Sequence, residues 1–204
     1  MLYLLLMLPP LIFMIYAQIK VNSTYKKYAK VPNMSGLTGL EAARRLLAYN
    51  GLNDVGIESV KGQLTDHYDP RTKVLRLSRD VSSRSSVAAL GIVAHEIGHA
   101  IQHKTGYFAM RLRSALVPVA NLGSQFGFIM VIIGVILFGL NVAFGETLAL
   151  IGVGLFAAAV LFALVTLPVE YNASNRARQM LQKAGLVSVS EYEGASAVLS
   201  AAAL

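Results

Sequence analysis

The chain has 204 residues, 55% of them hydrophobic and only 14% charged, with a formal net charge of +7 and no cysteine. A soluble domain carries about 25% charged residues, so this balance excludes a disordered segment and argues against an ordinary soluble domain. The missing cysteines exclude disulfides, thiolate catalysis and cysteine-ligated zinc, and the basic excess on an apolar chain points first to an anionic membrane surface.

Residues 1–19, MLYLLLMLPPLIFMIYAQI, contain no formal charge and are about long enough to cross a bilayer. No Lys or Arg precedes the run and no small-x-small cleavage site follows it, so it reads as a retained anchor kinked at Pro9 and Pro10. Thr38 caps a predicted helix over 39–49, with Glu41 completing a capping box and Asn50–Gly51 ending it. Residues 55–60 read as a strand. Residues 63–68 and 74–77 read as two more, joined through Asp69–Pro70–Arg71–Thr72 as a small hairpin. Ser85 or Ser86 starts a long helix from Val87 to about His103. Residues 107–121 read as an amphipathic helix at a membrane surface, bent at Pro118.

Two further uncharged runs, 126–144 and 148–169, read as a transmembrane hairpin turning at Gly145–Glu146–Thr147. Basic residues flank the spans: Lys20, Lys26, Lys27 and Lys30 after the first, Arg111 and Arg113 before the second, and Arg176, Arg178 and Lys183 after the third. The positive-inside rule puts these flanks in the cytoplasm. The expected organisation is therefore a transmembrane helix at 1–19, a cytoplasmic region at 20–125, a transmembrane hairpin at 126–169 and a cytoplasmic helical segment at 170–204. The Ala-rich end reads as a helix still in progress, so a continuation past Leu204 is expected. The localisation expected is a multi-pass cell-membrane protein with its active site facing the cytoplasm.

His95–Glu96–Ile97–Gly98–His99 is an H-E-x-x-H motif inside the predicted helix. Residues four apart share a helix face, so the two imidazoles can converge on one Zn2+ while Glu96, one position along, serves as general base toward water. His103 continues the same line. It starts about 12 Å from His95 along a straight helix, too far for both to bind one ion. The extended motif of metzincins, with Gly and then His at other offsets, is absent.

A catalytic zinc takes three protein ligands plus water, so a third must come from elsewhere. Asp66, His67, Asp69, Glu170, Glu191 and Glu193 are candidates by topology. Glu170 stands out because it ends the last apolar run, where a carboxylate is costly unless paired or metal-bound. Its other reading is an ion pair with Arg176 or a solvated helix end. His67 is a candidate to stabilise an oxyanion, and an edge strand beside it could hold an extended peptide. The plainer reading is an exposed His67 before a turn. Arg71, Lys73, Arg76 and Arg79 read as solvated surface near anionic headgroups; no aromatic-interleaved module supports nucleic-acid binding.

The stretch from His95 to His103 resembles the core of the small membrane-bound neutral zinc metallopeptidases of bacteria. The segments LTDHYDPR (64–71) and VLRLS (74–78) resemble that family's upstream block, and LPVEYNAS (167–174) its downstream block. The likeness runs over essentially the whole chain. It implies a cytoplasm-facing zinc peptidase with Glu170 as third ligand and one more transmembrane helix beyond Leu204. Members carry an acid or amide near position 172, as Asn172 does, and a basic residue near 175, from which Asn175 departs.

The fold expected is mainly α, an integral membrane helical protein with a zincin-like H-E-x-x-H helix and a small β-hairpin. The function expected is a zinc endopeptidase: metal ligands His95, His99 and Glu170, catalytic Glu96 and His67, cofactor Zn2+. Its partners are a peptide or membrane-protein substrate and membrane lipids, with no nucleic acid; oligomeric state is not indicated. The alternatives are a catalytically inactive zinc-binding membrane scaffold and a zinc hydrolase of a non-peptide substrate.

Overall fold

A computed structural model describes residues 2–204. Seven helices and three short strands follow in the order α1 (Leu2–Tyr28), α2 (Gly39–Tyr49), β1 (Gly56–Val60), β2 (His67–Asp69), β3 (Val74–Ser78), α3 (Arg79–Ser83), α4 (Val87–Lys104), α5 (Phe108–Gly139), α6 (Phe144–Lys183) and α7 (Val189–Ala202). The chain divides into two compact units: residues 1–16 with 108–168, and residues 17–107 with 169–204.

The second unit is built on α4. Ser86 caps the helix by accepting from the Ala89 N–H, and fourteen of its 18 residues are buried. Helices α2, α3 and α7 and strands β2 and β3 pack around it. Thr38 and Glu41 make the expected capping box on α2, and Ser188 and Glu191 make a second one on α7. Small residues let the helices close up. A Cβ on Gly98 would stand 2.5 Å from the Ala173 carbonyl oxygen of α6, and one on Gly91 would press 3.2 Å from Val198 of α7.

The expected hairpin forms between β2 and β3, antiparallel with Tyr68 opposite Leu75. Strand β1 joins it, so the element is a three-stranded sheet in the order β1-β3-β2 with β1 parallel to β3. The return from β1 to a parallel position runs through the 61–73 segment, which alternation within each strand does not reveal. Helix α3 was also unexpected: Ser78 ends β3 and caps α3 at once, its hydroxyl accepting from the Val81 N–H.

In the first unit, α5 runs without interruption through Pro118, and α5 and the first part of α6 approach at backbone distance. A Cβ on Gly152 would lie 2.6 Å from the Val131 nitrogen, and one on Gly127 2.8 Å from the Phe156 nitrogen. Their connection is not the expected 145–147. Helix α5 ends at Gly139, and Asn141 takes the left-handed conformation (φ 60°). The Val142 N–H reaches Leu137 O at 3.0 Å and the Asn141 N–H reaches Phe138 O at 3.0 Å, a Schellman cap with Asn in the usual glycine place.

The membrane expectation is corrected. Among the described residues, one helix, α6, is long and apolar enough to cross a membrane, and only 11% of its apolar window is buried, unlike the core helix of a soluble protein. The expected span at 126–144 is cut by the Asn141 cap. Among the described residues, the apolar stretch Gln125–Gly139 at the end of α5 falls short of a candidate span. The expected span at 1–19 falls in α1, with Met1 outside the described residues, and α1 is not among the candidate spans that the described residues offer. The multi-pass localisation is therefore replaced by one candidate span among the described residues, and the cytoplasmic facing, read from the basic flanks of three spans with their parity in agreement, goes with it.

Candidate metal and catalytic site

His95 and His99 lie one turn apart on α4, and both are buried, with 6% of each exposed. Their rings meet edge to face, centroids 4.8 Å apart and planes at 84°. Glu170, two residues past Pro168 on α6, completes the group. Its Oε2 stands 3.1 Å from His95 Nε2 and 3.2 Å from His99 Nε2. The three candidate ligand atoms lie within 4.8 Å of one another.

The protons on the two rings follow from their other nitrogens. Ser174 Oγ lies 3.1 Å from His95 Nδ1 and 3.0 Å from the Leu199 carbonyl oxygen. A hydroxyl has one hydrogen, and a carbonyl can only accept. Ser174 therefore donates to Leu199 and accepts from His95 Nδ1–H. Gln102 repeats the arrangement for His99. Its amide nitrogen donates to Val169 O at 2.7 Å and Asn172 Oδ1 at 3.0 Å, which leaves its oxygen to accept from His99 Nδ1–H at 3.0 Å.

With Nδ1 protonated, each neutral ring turns an Nε2 lone pair toward Glu170. Three lone-pair donors facing one another repel unless a cation, metal or proton, lies between them. The site attracts positive charge accordingly: burial of the His99 ring opposes protonation, the Glu170 carboxylate outweighs it, and the His99 pKa lies above its ordinary value. Two imidazole nitrogens and one carboxylate oxygen are the donor set of a catalytic zinc with an open fourth position. The residues present fit the ion.

Glu96 points to the same region from the next position on α4. Its Oε2 accepts the backbone N–H of Tyr68 at 3.0 Å. Burial pushes its carboxyl pKa up; His95 and His99 oppose that shift, and Glu170 adds to it.

The other sequence candidates are placed elsewhere. His67 is exposed, and its Nδ1 lies 2.8 Å from the Thr65 carbonyl oxygen. Strand alternation turns Tyr68 inward instead. Asp66 accepts from Ser78 N–H at 2.7 Å and Ser78 Oγ–H at 3.0 Å. Asp69 pairs with Arg76 at 2.9 Å, and that guanidinium holds its carboxyl well below the usual carboxylate range. Glu191 caps α7 and accepts the Met34 N–H at 2.6 Å. Arg176 donates to Asn172 Oδ1 at 2.7 Å. His103 Nδ1 lies 2.9 Å from the Tyr68 hydroxyl.

The sequence reading missed Gln102, Ser174 and Tyr68. Two of them carried a signal: Gln102 is three residues past His99 and Ser174 four past Glu170, spacings that share a helix face. Tyr68 carried none, because a backbone N–H has no sequence signature.

The profile of a family described as "Putative neutral zinc metallopeptidase" matches residues 3–204. The chain is also 46% identical over 204 residues to the "Putative membrane protease YugP" of Bacillus subtilis (strain 168), covering 100% of this chain and 88% of the relative. No solved structure matches. A profile spanning nearly every residue and a relative aligned over the whole of this chain agree with a His-His-Glu cluster able to hold the ion: the chain belongs to this family of bacterial membrane-associated zinc metallopeptidases and is a zinc-dependent enzyme.

Proposed function

We propose that the protein is a zinc endopeptidase in which His95, His99 and Glu170 hold the metal and Glu96 moves the proton. The observation that supports this most directly is the proton assignment. Both Nδ1 atoms are engaged by fixed acceptors, so both Nε2 lone pairs face the Glu170 carboxylate.

Zinc, when bound, supplies Lewis acidity that acidifies a water molecule and polarises a peptide carbonyl. The chain supplies the rest. Ser174 and Gln102 hold the two rings in one tautomer and orientation, and each is anchored in turn to a backbone carbonyl. Glu170 contributes one negative charge, so the ligand set leaves the ion net positive. Glu96 is tethered through Oε2 to Tyr68, which leaves its other oxygen to accept a proton from the attacking water and return it to the leaving amine. Its burial raises its proton affinity toward that of a useful base. His67 takes no step in this reading. Nor does β2 offer much of an edge to an extended peptide, since the Tyr68 N–H is already given to Glu96.

The test is Glu96→Gln in detergent-purified protein. Turnover of a casein or peptide substrate falls by about 10²–10⁴-fold while one zinc per chain is retained. Equal turnover in the variant would remove Glu96 from the reaction. Zinc binding with no peptide turnover in the wild type would return the protein to the scaffold reading.

A further inference from the structure

A cavity of about 220 Å³ opens directly beside His95 and Glu96. Its walls come from four parts of the second unit: Thr24 and Tyr25 of α1, Leu64 before β2, Ile92 of α4, and Val198 and Ala202 of α7. Tyr25 and Val198 are buried; Thr24, Leu64, Ile92 and Ala202 are partly exposed and form its mouth. A second carboxylate besides Glu96, that of Asp66, also lines it. Both Asp66 oxygens are engaged by Ser78, whose hydroxyl caps α3, so this group ties the 61–66 segment to the sheet, and most of the rest of the wall away from His95 and Glu96 is apolar.

We infer that this cavity receives the apolar side chain of a substrate residue flanking the scissile bond, and that the protease selects peptides by a bulky aliphatic or aromatic residue there. The inference rests on the peptidase reading and names its substrate class. Two facts of placement support the assignment. The cavity shares His95 and Glu96 with the reacting centre, so whatever fills it is held next to the bond being cut. Recognition through the β2 edge is curtailed by the bond from Tyr68 to Glu96, which leaves a side-chain pocket to supply selectivity. Size agrees: an apolar cavity of about 150 Å³ already binds benzene, so this one takes a leucine, methionine or phenylalanine side chain. Desolvating that side chain on binding orients the carbonyl without any new polar contact.

The experiment uses the full zinc-loaded chain in detergent and a peptide library varied on both sides of the cleaved bond. Products are read by mass spectrometry, and kcat/KM is measured for matched Leu, Phe, Ala, Lys and Asp peptides. The wild type prefers Leu or Phe over Ala by about 10-fold or more at one flanking position. Ala202→Phe fills the mouth and brings that ratio to within about a factor of two, with zinc content unchanged. Ile92→Ala enlarges the cavity and shifts the preference from Leu toward Phe, which keeps the test open should Ala202→Phe fold poorly. Cleavage without apolar preference at either flanking position, or a ratio that neither variant moves, overturns the inference alone. So does a preference for Lys that Asp66→Asn abolishes. No zinc-dependent cleavage anywhere in the library overturns the peptidase reading with it.

Discussion

Helix α4 and the first part of α6 are both apolar helices that pack glycines against neighbouring backbone, yet they meet opposite fates. Helix α4 is enclosed by protein, with fourteen of 18 residues buried, whereas only 11% of the apolar window of α6 is buried. The difference lies in the polar groups each carries. Helix α4 brings His95, Glu96, His99 and Gln102 into an interior where each finds a partner from another element. Burial there strengthens electrostatics and fixes tautomers. The apolar run of α6 over 148–169 carries no charged residue, so it needs no such partners and suits a lipid surface. An apolar helix becomes a reaction centre when protein rather than lipid surrounds it, because only protein returns hydrogen bonds.

A pair of glycines tests this contrast most strongly. Gly98→Ala places a methyl 2.5 Å from Ala173 O, and Gly152→Ala places one 2.6 Å from the Val131 nitrogen. Both overpack a helix contact and cost about 1–3 kcal/mol of stability. Only the first moves α4 away from the segment carrying Glu170 and Ser174. Zinc affinity therefore falls by roughly 10²-fold in Gly98→Ala, from a displacement on the order of 1 Å, and stays at the wild-type value in Gly152→Ala. Competition titration against a chelator measures both, and equal losses would erase the distinction between the two regions.

A smaller effect is expected from the partners of the rings. Ser174→Ala and Gln102→Ala each lower zinc affinity about 10–100-fold without removing a ligand, and Ser174→Thr restores most of the loss because the hydroxyl returns. Unchanged affinity in both alanine variants would show that the rings are held by packing alone.

The smallest effect is at the sheet, away from both helices. Asp69 binds a proton more weakly in the folded chain than in the unfolded one because Arg76 stands beside it. The stability from this pair is complete above the ordinary carboxylate pKa near about 4, and is lost as pH falls below that value. Asp69→Asn lowers the thermal midpoint by an amount equivalent to about 1 kcal/mol at pH 7, and the difference from wild type closes in acid. A gap that widens in acid would contradict the assignment.

Much of the second unit was legible before any coordinates. The capping box of Thr38 and Glu41 set α2 from Gly39 to Tyr49, and Ser86 set the start of α4 at Val87, because caps are satisfied by side chains three or four residues away. The hairpin was legible from its turn, and the two histidines from their spacing. The parallel pairing of β1 with β3 was not, since strands separated by the 61–73 segment share no local signal. The span count was misjudged for a similar reason: hydropathy over 126–144 averages across Asn141, whose left-handed cap ends the helix.

Local chemistry in this chain is short-ranged, so the sequence by itself determined the helix that carries the H-E-x-x-H motif, the shared face of its two imidazoles and the caps that hold that helix in place. Its place at the end of the last apolar run singled out Glu170, and the resemblance implied it as the third ligand. Tertiary structure alone decided that a carboxylate from α6 faces both rings, which ring nitrogen bears each proton, and that the Tyr68 backbone holds Glu96. These depend on groups tens of residues apart meeting within about 3 Å, the range over which a hydrogen bond acts.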